Sequence, residues 1–256
     1  MKNDEQPATT PVKKIKLSVS AIGTYEKCPK KYWYNYIEKP PIKKQEWSHL
    51  EFGSCLHLAL EKFHEFLITH TLPQSEYSAL MKKCLETAIK DFNQKLLESE
   101  FGLMKSIMQC YLNQIKADGL PNVLWVEKPF EVTIGDYFMK GFMDRVDKVG
   151  PGAYRVIDYK TSKNPAYLDK FQLQVYAMIL RDQLPDMETI SGSYLLLKHE
   201  CKTKDWDFTN KDLDDCREKI ISWGDSILND EVWCKKPSKL CDFCDYKELC
   251  LGNWSE

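Results

Sequence analysis

No apolar run in this chain approaches the roughly 18 residues that a bilayer-spanning helix requires, so a membrane-embedded protein is not expected. Net charge is nearly missing too. With 36 Lys and Arg against 38 Asp and Glu over 256 residues, the formal charge of -2 argues against nonspecific wrapping of duplex DNA, while leaving room for a local basic groove. No Gly-x-x-x-x-Gly-Lys-Ser/Thr phosphate loop occurs, so any helicase-type motor is expected on a separate polypeptide. Met1 to Pro11 is polar and lacks the apolar core of a secretory signal. The expected compartment is therefore cytoplasmic, or a nuclear or organellar matrix in a eukaryote. In that reducing setting the ten cysteines are not expected to form five disulfides. Internal repeats and low-complexity runs are absent, and at 43% hydrophobic residues the chain can bury one core in a single domain.

The informative stretch runs from Gly141 to Tyr176. On a strand, Asp158 and Lys160 face one way and Tyr159 the other. Asp144 ends the preceding apolar run and joins the same surface if the two runs pair as a hairpin through Gly150-Pro151-Gly152. Two carboxylates beside a lysine make a hard-cation site with a positive charge built in, chemistry suited to phosphodiester hydrolysis. The tripeptide alone proves little, because Asp245-Tyr246-Lys247 repeats it and a solvated strand edge would explain it. Asp158 differs in closing the strand-like run Tyr154-Arg155-Val156-Ile157.

Gly141-x-x-Asp144-Arg145-x-Asp147, then Asp158-Tyr159-Lys160-Thr161, then Gln172-x-x-x-Tyr176 together resemble the RecB-type branch of the PD-(D/E)XK nucleases. That branch includes RecB, AddB and the CRISPR-associated RecB-like exonucleases, and the resemblance extends from about Leu17 to Cys250. It implies an α/β fold: a restriction-endonuclease-like core with a central mixed sheet flanked by helices, an N-terminal helical subdomain and an iron-sulfur staple. The expected layout is a flexible tail over 1-16 and one nuclease domain over 17-256. Within that domain a helical subdomain covers about 50-120, the catalytic core about 121-230, and a cysteine tail 231-256 closes on Cys28. The resemblance further implies that Asp144, Asp158, His57 and the backbone carbonyl of Tyr159 hold one or two Mg2+ or Mn2+ ions. Lys160 would position the attacking water and offset the charge growing on the phosphoryl oxygens, with Gln172 and Tyr176 orienting Lys160 or the DNA strand.

His57 needs the resemblance. Leu50 to Thr69 reads as a helix with Leu56, Leu60, Phe63 and Leu67 on one stripe, and a histidine at its edge is ordinarily a packed or surface residue. The Gly53-x-x-x-His57 spacing is similar to the family helix that gives an imidazole to the metal, and an imidazole among oxygens suits Mn2+ better than an all-carboxylate site does. Glu127, on the first of three expected strands (Val123 to Ile134, Tyr137 to Val149, Tyr154 to Tyr159), is a candidate neighbour of the site.

The rest reads more plainly. Ser20 is expected to cap a helix carrying Tyr25, Cys28 and Tyr32, which ends before Pro40-Pro41. Lysines cluster at Lys13, Lys14 and Lys16, at Lys27, Lys30 and Lys31, and at Lys39, Lys43 and Lys44, ordinarily a solvated face. Tyr32, Trp33, Tyr34 and Tyr36 interleave the second cluster and read either as base-stacking rings or as core. Two covering helices are expected between about Ser75 and Ala117, one through Leu80, Cys84, Ala88, Phe92 and Leu96, with Cys84 and Cys110 as small buried residues. A helix from Tyr167 to Leu180, a strand from Ile190 to Leu197 and a helix from Asp212 to Leu228 follow.

Cys241-x2-Cys244-x5-Cys250 needs a fourth ligand, and spacing alone admits zinc at least as readily as a cluster. Cys28, in a Cys-Pro-Lys-Lys-Tyr context, is the partner the resemblance names, and the AddB-type staple it implies is a 4Fe-4S cluster on Cys28, Cys241, Cys244 and Cys250. Closing a loop of that length is worth at most about 5 kcal/mol on the cross-link entropy estimate, comparable to a domain's net stability of about 5–15 kcal/mol. Cys55, Cys201, Cys216 and Cys234 read as structural.

The expected activity is a metal-dependent DNA exonuclease on single-stranded or frayed ends in recombination, repair, phage replication or CRISPR spacer processing. Its partners would be DNA and the proteins of those processes, with no membrane. The alternatives are a structure-specific endonuclease and a non-catalytic iron-sulfur module that binds DNA ends.

Overall fold

The structure, a computed structural model, describes residues 16–42, 48–92 and 97–252. Its centre is a six-stranded mixed sheet in the order β1-β3-β4-β5-β6, with β2 along the other edge of β3. The strands are β1 (Lys16–Leu17), β2 (Val123–Ile134), β3 (Tyr137–Gly150), β4 (Ala153–Lys160), β5 (Thr189–Leu196) and β6 (Lys202–Phe208). The expected hairpin forms: β3 and β4 pair antiparallel from Gly150/Ala153 to Arg145/Ile157. Beyond Arg145 that edge of β3 has no strand partner until β1 meets Phe138 and Met139.

Among the described residues eight α-helices surround the sheet or pack on its covering layers. α1 (Val19–Lys27), α2 (Pro29–Trp33), α6 (Phe171–Gln183) and α7 (Asn210–Leu228) alternate in the chain with the layer of α3 (Ser48–Thr69), α4 (Tyr77–Phe92) and α5 (Glu98–Asp118), and α8 (Lys247–Leu251) closes the cysteine tail. Strand alternation sorts the core in two. Val156, Tyr154, Tyr194 and Leu196 pack with Leu173, Val175 and Ile220 of α6 and α7. Ile157, Tyr159, Leu195 and Leu197 pack with Leu56, Phe63, Met104 and Tyr111 of α3 and α5. The α3-α5 layer therefore shares its core with the sheet. Among the described residues no helix is long and apolar enough to cross a membrane.

Several expectations shift. Ser18, not Ser20, caps α1, accepting the Ala21 N–H at 3.1 Å. The helix breaks at Cys28, which is extended (φ -162°) because a residue before proline is pushed out of the helical region. Pro29 then opens α2 at its first turn, where a missing N–H does no harm. Tyr167 ends a separate 3-10 turn, Pro165–Tyr167, so α6 starts only at Phe171. β6 was not expected, since Lys202-Thr203-Lys204-Asp205 has no apolar signal. It is an edge strand, admitted by a turn with Glu200 and Cys201 at φ 56° and 52°. Cys84 is buried, but Cys110 only half so. Lys13, Lys14, Lys43, Lys44 and Leu96 lie outside the described residues.

Two of the four aromatics after Cys28 serve the core, while Trp33 is half-buried and Tyr36 exposed. Tyr32 and Tyr34 are buried. Tyr32 stacks on Trp233 at 5.8 Å, Tyr34 on Tyr246 at 4.9 Å, and Tyr25 donates to Asp230 at 2.7 Å. The first helices are thus tied to the C-terminal segment by rings as well as by any metal.

Candidate metal centre and active site

The site lies where β3 and β4 part. One residue past their last rung, the Asp144 carboxylate takes over the ladder and accepts the backbone N–H of Tyr159 at 2.8 Å. His57 of α3 reaches the same place: Nδ1 is 3.3 Å from Asp144 Oδ2, and Nε2 is 3.0 Å from the Tyr159 carbonyl oxygen. Helix α3 comes this close because Gly53, one turn before His57, leaves room. A Cβ there would stand 3.0 Å from Thr161 Oγ1, directly after Lys160. The Gly-x-x-x-His and Lys-Thr patterns are two halves of one contact.

On β4 the alternation holds. Lys160 Nζ is 2.6 Å from Asp158 Oδ2 and donates to Gln172 Oε1 at 2.8 Å, while Gln172 Nε2 donates to the Tyr176 hydroxyl at 2.8 Å. The i,i+4 pair on α6 therefore forms a relay into the lysine. Asp144, Asp158, Lys160, His57, the Tyr159 carbonyl, Gln172 and Tyr176 meet at one locus.

Glu127 is drawn in further than the sequence implied. It sits in β2 between the residues paired with Arg145 and Met143, in a left-handed conformation (φ 42°). Ligand atoms of His57, Glu127 and Asp144 lie within 4.8 Å of one another. Glu61 was missed. It follows His57 by four residues on the same helix face, a spacing that could have found it, and with His57 and Glu127 it lines an open cavity of about 360 Å3.

These acids sit uneasily. Burial, opposed by the Tyr159 N–H and Lys160, pushes the Asp144 carboxyl up to about 6. Burial and Asp144 push Asp158 to about 6, and burial with Asp144, Glu61 and Asp158 pushes Glu127 to about 7. Burial lowers His57, keeping its ring neutral. A neutral imidazole has one N–H, so between Asp144 and the Tyr159 carbonyl one ring nitrogen must turn its lone pair toward an oxygen. Asp158 Oδ2 is buried with no well-aligned hydrogen bond, only the close ammonium. Crowded lone pairs and mutually repelling carboxylates are what a divalent cation relieves, so the donor set fits one.

Behind the site, on the other face of β3, Arg145 is buried against Asp147 through two contacts of 3.0 Å. It also donates to the Tyr111 hydroxyl at 2.7 Å, which meets His64 Nε2 at 2.5 Å. His64 lies two turns beyond His57 on α3, so this network pins to the sheet the helix that carries the imidazole.

Cys28, Cys241, Cys244 and Cys250 line one cavity. Burial raises the Cys250 thiol, as does its nearness to Cys28, Cys244 and Cys241, while Lys235 lowers it. Cys241 Sγ accepts the Ser238 N–H at 3.4 Å. Among the described residues no three of these sulfurs lie within 4.8 Å of one another. Cys234 is exposed and Cys55, Cys201 and Cys216 are buried elsewhere.

Comparison with known proteins gives consistent matches. A family model described as "PD-(D/E)XK nuclease superfamily" matches residues 16–251. The chain is 25% identical over 209 residues to a subunit of the ATP-dependent helicase/deoxyribonuclease of Streptococcus mutans, covering 74% of this chain and 19% of that protein. It is 26% identical over 205 residues to the corresponding subunit from Clostridium perfringens, covering 67% of this chain and 18% of that protein. The chain thus spans about a fifth of the length of these curated relatives. A crystal structure from Eubacterium rectale, provisionally described as an exonuclease, overlays with a TM-score of 0.44 at 14% identity, covering 88% of this chain and 91% of that one.

Proposed function

This chain belongs to the PD-(D/E)XK nuclease superfamily, and from that premise we propose that it is a divalent-metal-dependent deoxyribonuclease, cutting single-stranded or frayed DNA ends as an exonuclease. The observation that carries the reading is the junction of Asp144, His57, Glu127 and the Tyr159 carbonyl at the mouth of the β3-β4 hairpin, with Lys160 beside it. His57, Glu127 and Asp144, with the Tyr159 carbonyl and with Asp158 beside Lys160, would hold Mg2+ or Mn2+. A bound ion supplies Lewis acidity and a water made acidic enough to attack phosphorus.

The chain's own residues do the rest. Lys160, held between Asp158 and Gln172, keeps its ammonium directed at the space where phosphoryl oxygens gain charge. Gln172, itself held by Tyr176, fixes the lysine's rotamer so that no reorganisation is needed as charge develops. Asp144, anchored by the Tyr159 N–H, keeps the β4 carbonyl aimed at the cation site.

Cys28, Cys241, Cys244 and Cys250 are proposed to hold a 4Fe-4S cluster. What supports a shared site is that all four line one cavity; their spacing does not separate a cluster from zinc, since among the described residues no three of the sulfurs lie within 4.8 Å of one another. The backbone N–H donated to Cys241 Sγ is the kind of contact that stabilises a cluster sulfur. Protein purified without oxygen should carry about four irons per chain. One zinc per chain and no iron would reject the cluster and leave the nuclease assignment standing.

The relatives are named as subunits of an ATP-dependent helicase/deoxyribonuclease, which supports DNA and partner proteins as what this chain works with. The decisive assay uses 5'- and 3'-labelled oligonucleotides with Mg2+ or Mn2+. Stepwise shortening that disappears with chelator and in Lys160→Ala supports an exonuclease. Internal cuts would make it an endonuclease, and no cleavage with either metal would sink the enzymatic reading.

A further inference from the structure

A cavity of about 480 Å3 runs from Lys160 and Gln172 along α1 to the four cysteines. Five lysines line it, Lys27, Lys31, Lys160, Lys236 and Lys247, against two acids, Glu26 and Asp169. Lys160 and Lys247 are paired with Asp158 and Asp242, which leaves Lys27, Lys31 and Lys236 set against the two acids in a cavity that adjoins the reaction site. On the same wall stands Tyr167, 86% exposed, the most exposed large hydrophobic side chain among the described residues.

A lone aromatic in water is ordinary. The backbone beneath this one is less so. Asn164 Oδ1 accepts the Ala166 N–H at 2.9 Å, the Leu168 N–H returns to the Pro165 carbonyl at 3.2 Å, and Lys204 Nζ donates to the Leu168 carbonyl at 2.7 Å. Pro165 stiffens the turn further. The chain fixes the backbone beneath this ring seven residues after Lys160 and buries little of the ring itself.

We propose that Tyr167 is a stacking platform for an unpaired nucleobase, seating the strand along this cavity so that the adjoining phosphate reaches Lys160. The inference rests on the nuclease reading for the fate of that phosphate, but the binding itself does not. A ring of this kind accepts any base by its face, and that face is free only in a single strand or a frayed end. The lysines meet the backbone phosphates. The ligand is therefore single-stranded nucleic acid, taken with little regard to sequence.

The test is fluorescence anisotropy of the full chain with labelled oligodeoxythymidine in chelator, so that nothing is cut. Tyr167→Ala should weaken binding about 5- to 150-fold with an unchanged melting temperature, Tyr167→Trp should retain it, and blunt duplex binding should not respond. One abasic position walked along the oligonucleotide should weaken the parent at a single register and leave Tyr167→Ala indifferent. In turnover Tyr167→Ala should raise KM more than it lowers kcat. Equal binding by parent and Tyr167→Ala, or an equal loss on blunt duplex, overturns the platform. If the parent binds through Tyr167 and cuts nothing with Mg2+ or Mn2+, the platform stands and the nuclease reading falls.

Discussion

Asp144 and Arg145 are neighbours in the chain on opposite faces of β3, so one hairpin carries an open acid site on one side and a closed ion-pair network on the other. Both faces use the same parts, carboxylates and a cation. Behind the sheet Asp147 meets Arg145 through two contacts, and the guanidinium's remaining valence goes to Tyr111. In front, Lys160 pairs with Asp158 and only partly offsets the burial of Asp144, while Asp144, Glu127 and Glu61 face one another with His57 neutral between them. One cation matched to one carboxylate makes a clamp, even though Arg145 Nε, Asp147 Oδ1 and His64 Nδ1 lack an aligned hydrogen bond. Several carboxylates around one cation leave a demand for positive charge, and the site is that demand.

The contrast is sharpest if each face is disarmed separately. Asp158→Ala and Lys160→Ala should lower the cleavage rate by at least about 100- to 1,000-fold with little change in thermal melting, because they remove charges the fold does not need; a parental rate from either refutes the assignment. Arg145→Ala should instead lower stability by about 3–5 kcal/mol, roughly 6–20 °C in Tm, by stranding Asp147. The double change Arg145→Met with Asp147→Leu should restore most of it. If that double variant melts as low as Arg145→Ala, charge pairing is not what the back face supplies.

A smaller effect separates the faces by pH. Asp144 and Asp158 bind protons more tightly folded, at about 6, than at their ordinary 3.8. Their contribution to stability therefore grows as pH falls through about 6, saturates below about 4 and is lost on raising pH. Metal-free protein should gain in Tm from these groups between pH 7.5 and 5, and Mg2+ or Mn2+ should raise Tm more at pH 7.5 than at 5, where protons compete. Calorimetry at the two pH values checks this, and equal metal effects would mean the cation binds elsewhere. Smallest of all, Gly53→Ala should ease α3 away from Thr161 and cut activity about tenfold, with a higher metal requirement and a fold otherwise intact. An unchanged metal titration would show that the contact has slack.

Chain order explains what could be read in advance. Residues on β3, β4 and α6 were legible because strand alternation and i,i+4 spacing turn local pattern into direction, and the three strands fell close to their expected bounds. His57 was legible only through Gly53, and Glu61 went unnoticed although it repeats the same helical logic one turn on. Glu127 was placed too far out because its reach depends on a left-handed backbone that no residue preference announces. The aromatics after Cys28 stayed ambiguous, since a ring bound for the core and a ring bound for a base look alike until Trp233 and Tyr246 arrive from the far end of the chain.

That late arrival has a consequence for synthesis. Tyr25 and its partner Asp230 are 205 residues apart, and a ribosome adding about 5–20 residues per second needs roughly 10–40 s to make the second after the first. Throughout that interval Tyr25 and Tyr32 have no Trp233 to pack against, so the earliest helices are exposed to chaperones and proteases before they can dock. Docking of the first helices therefore waits for Asp230, Trp233 and Tyr246, long after the strands between them have been made.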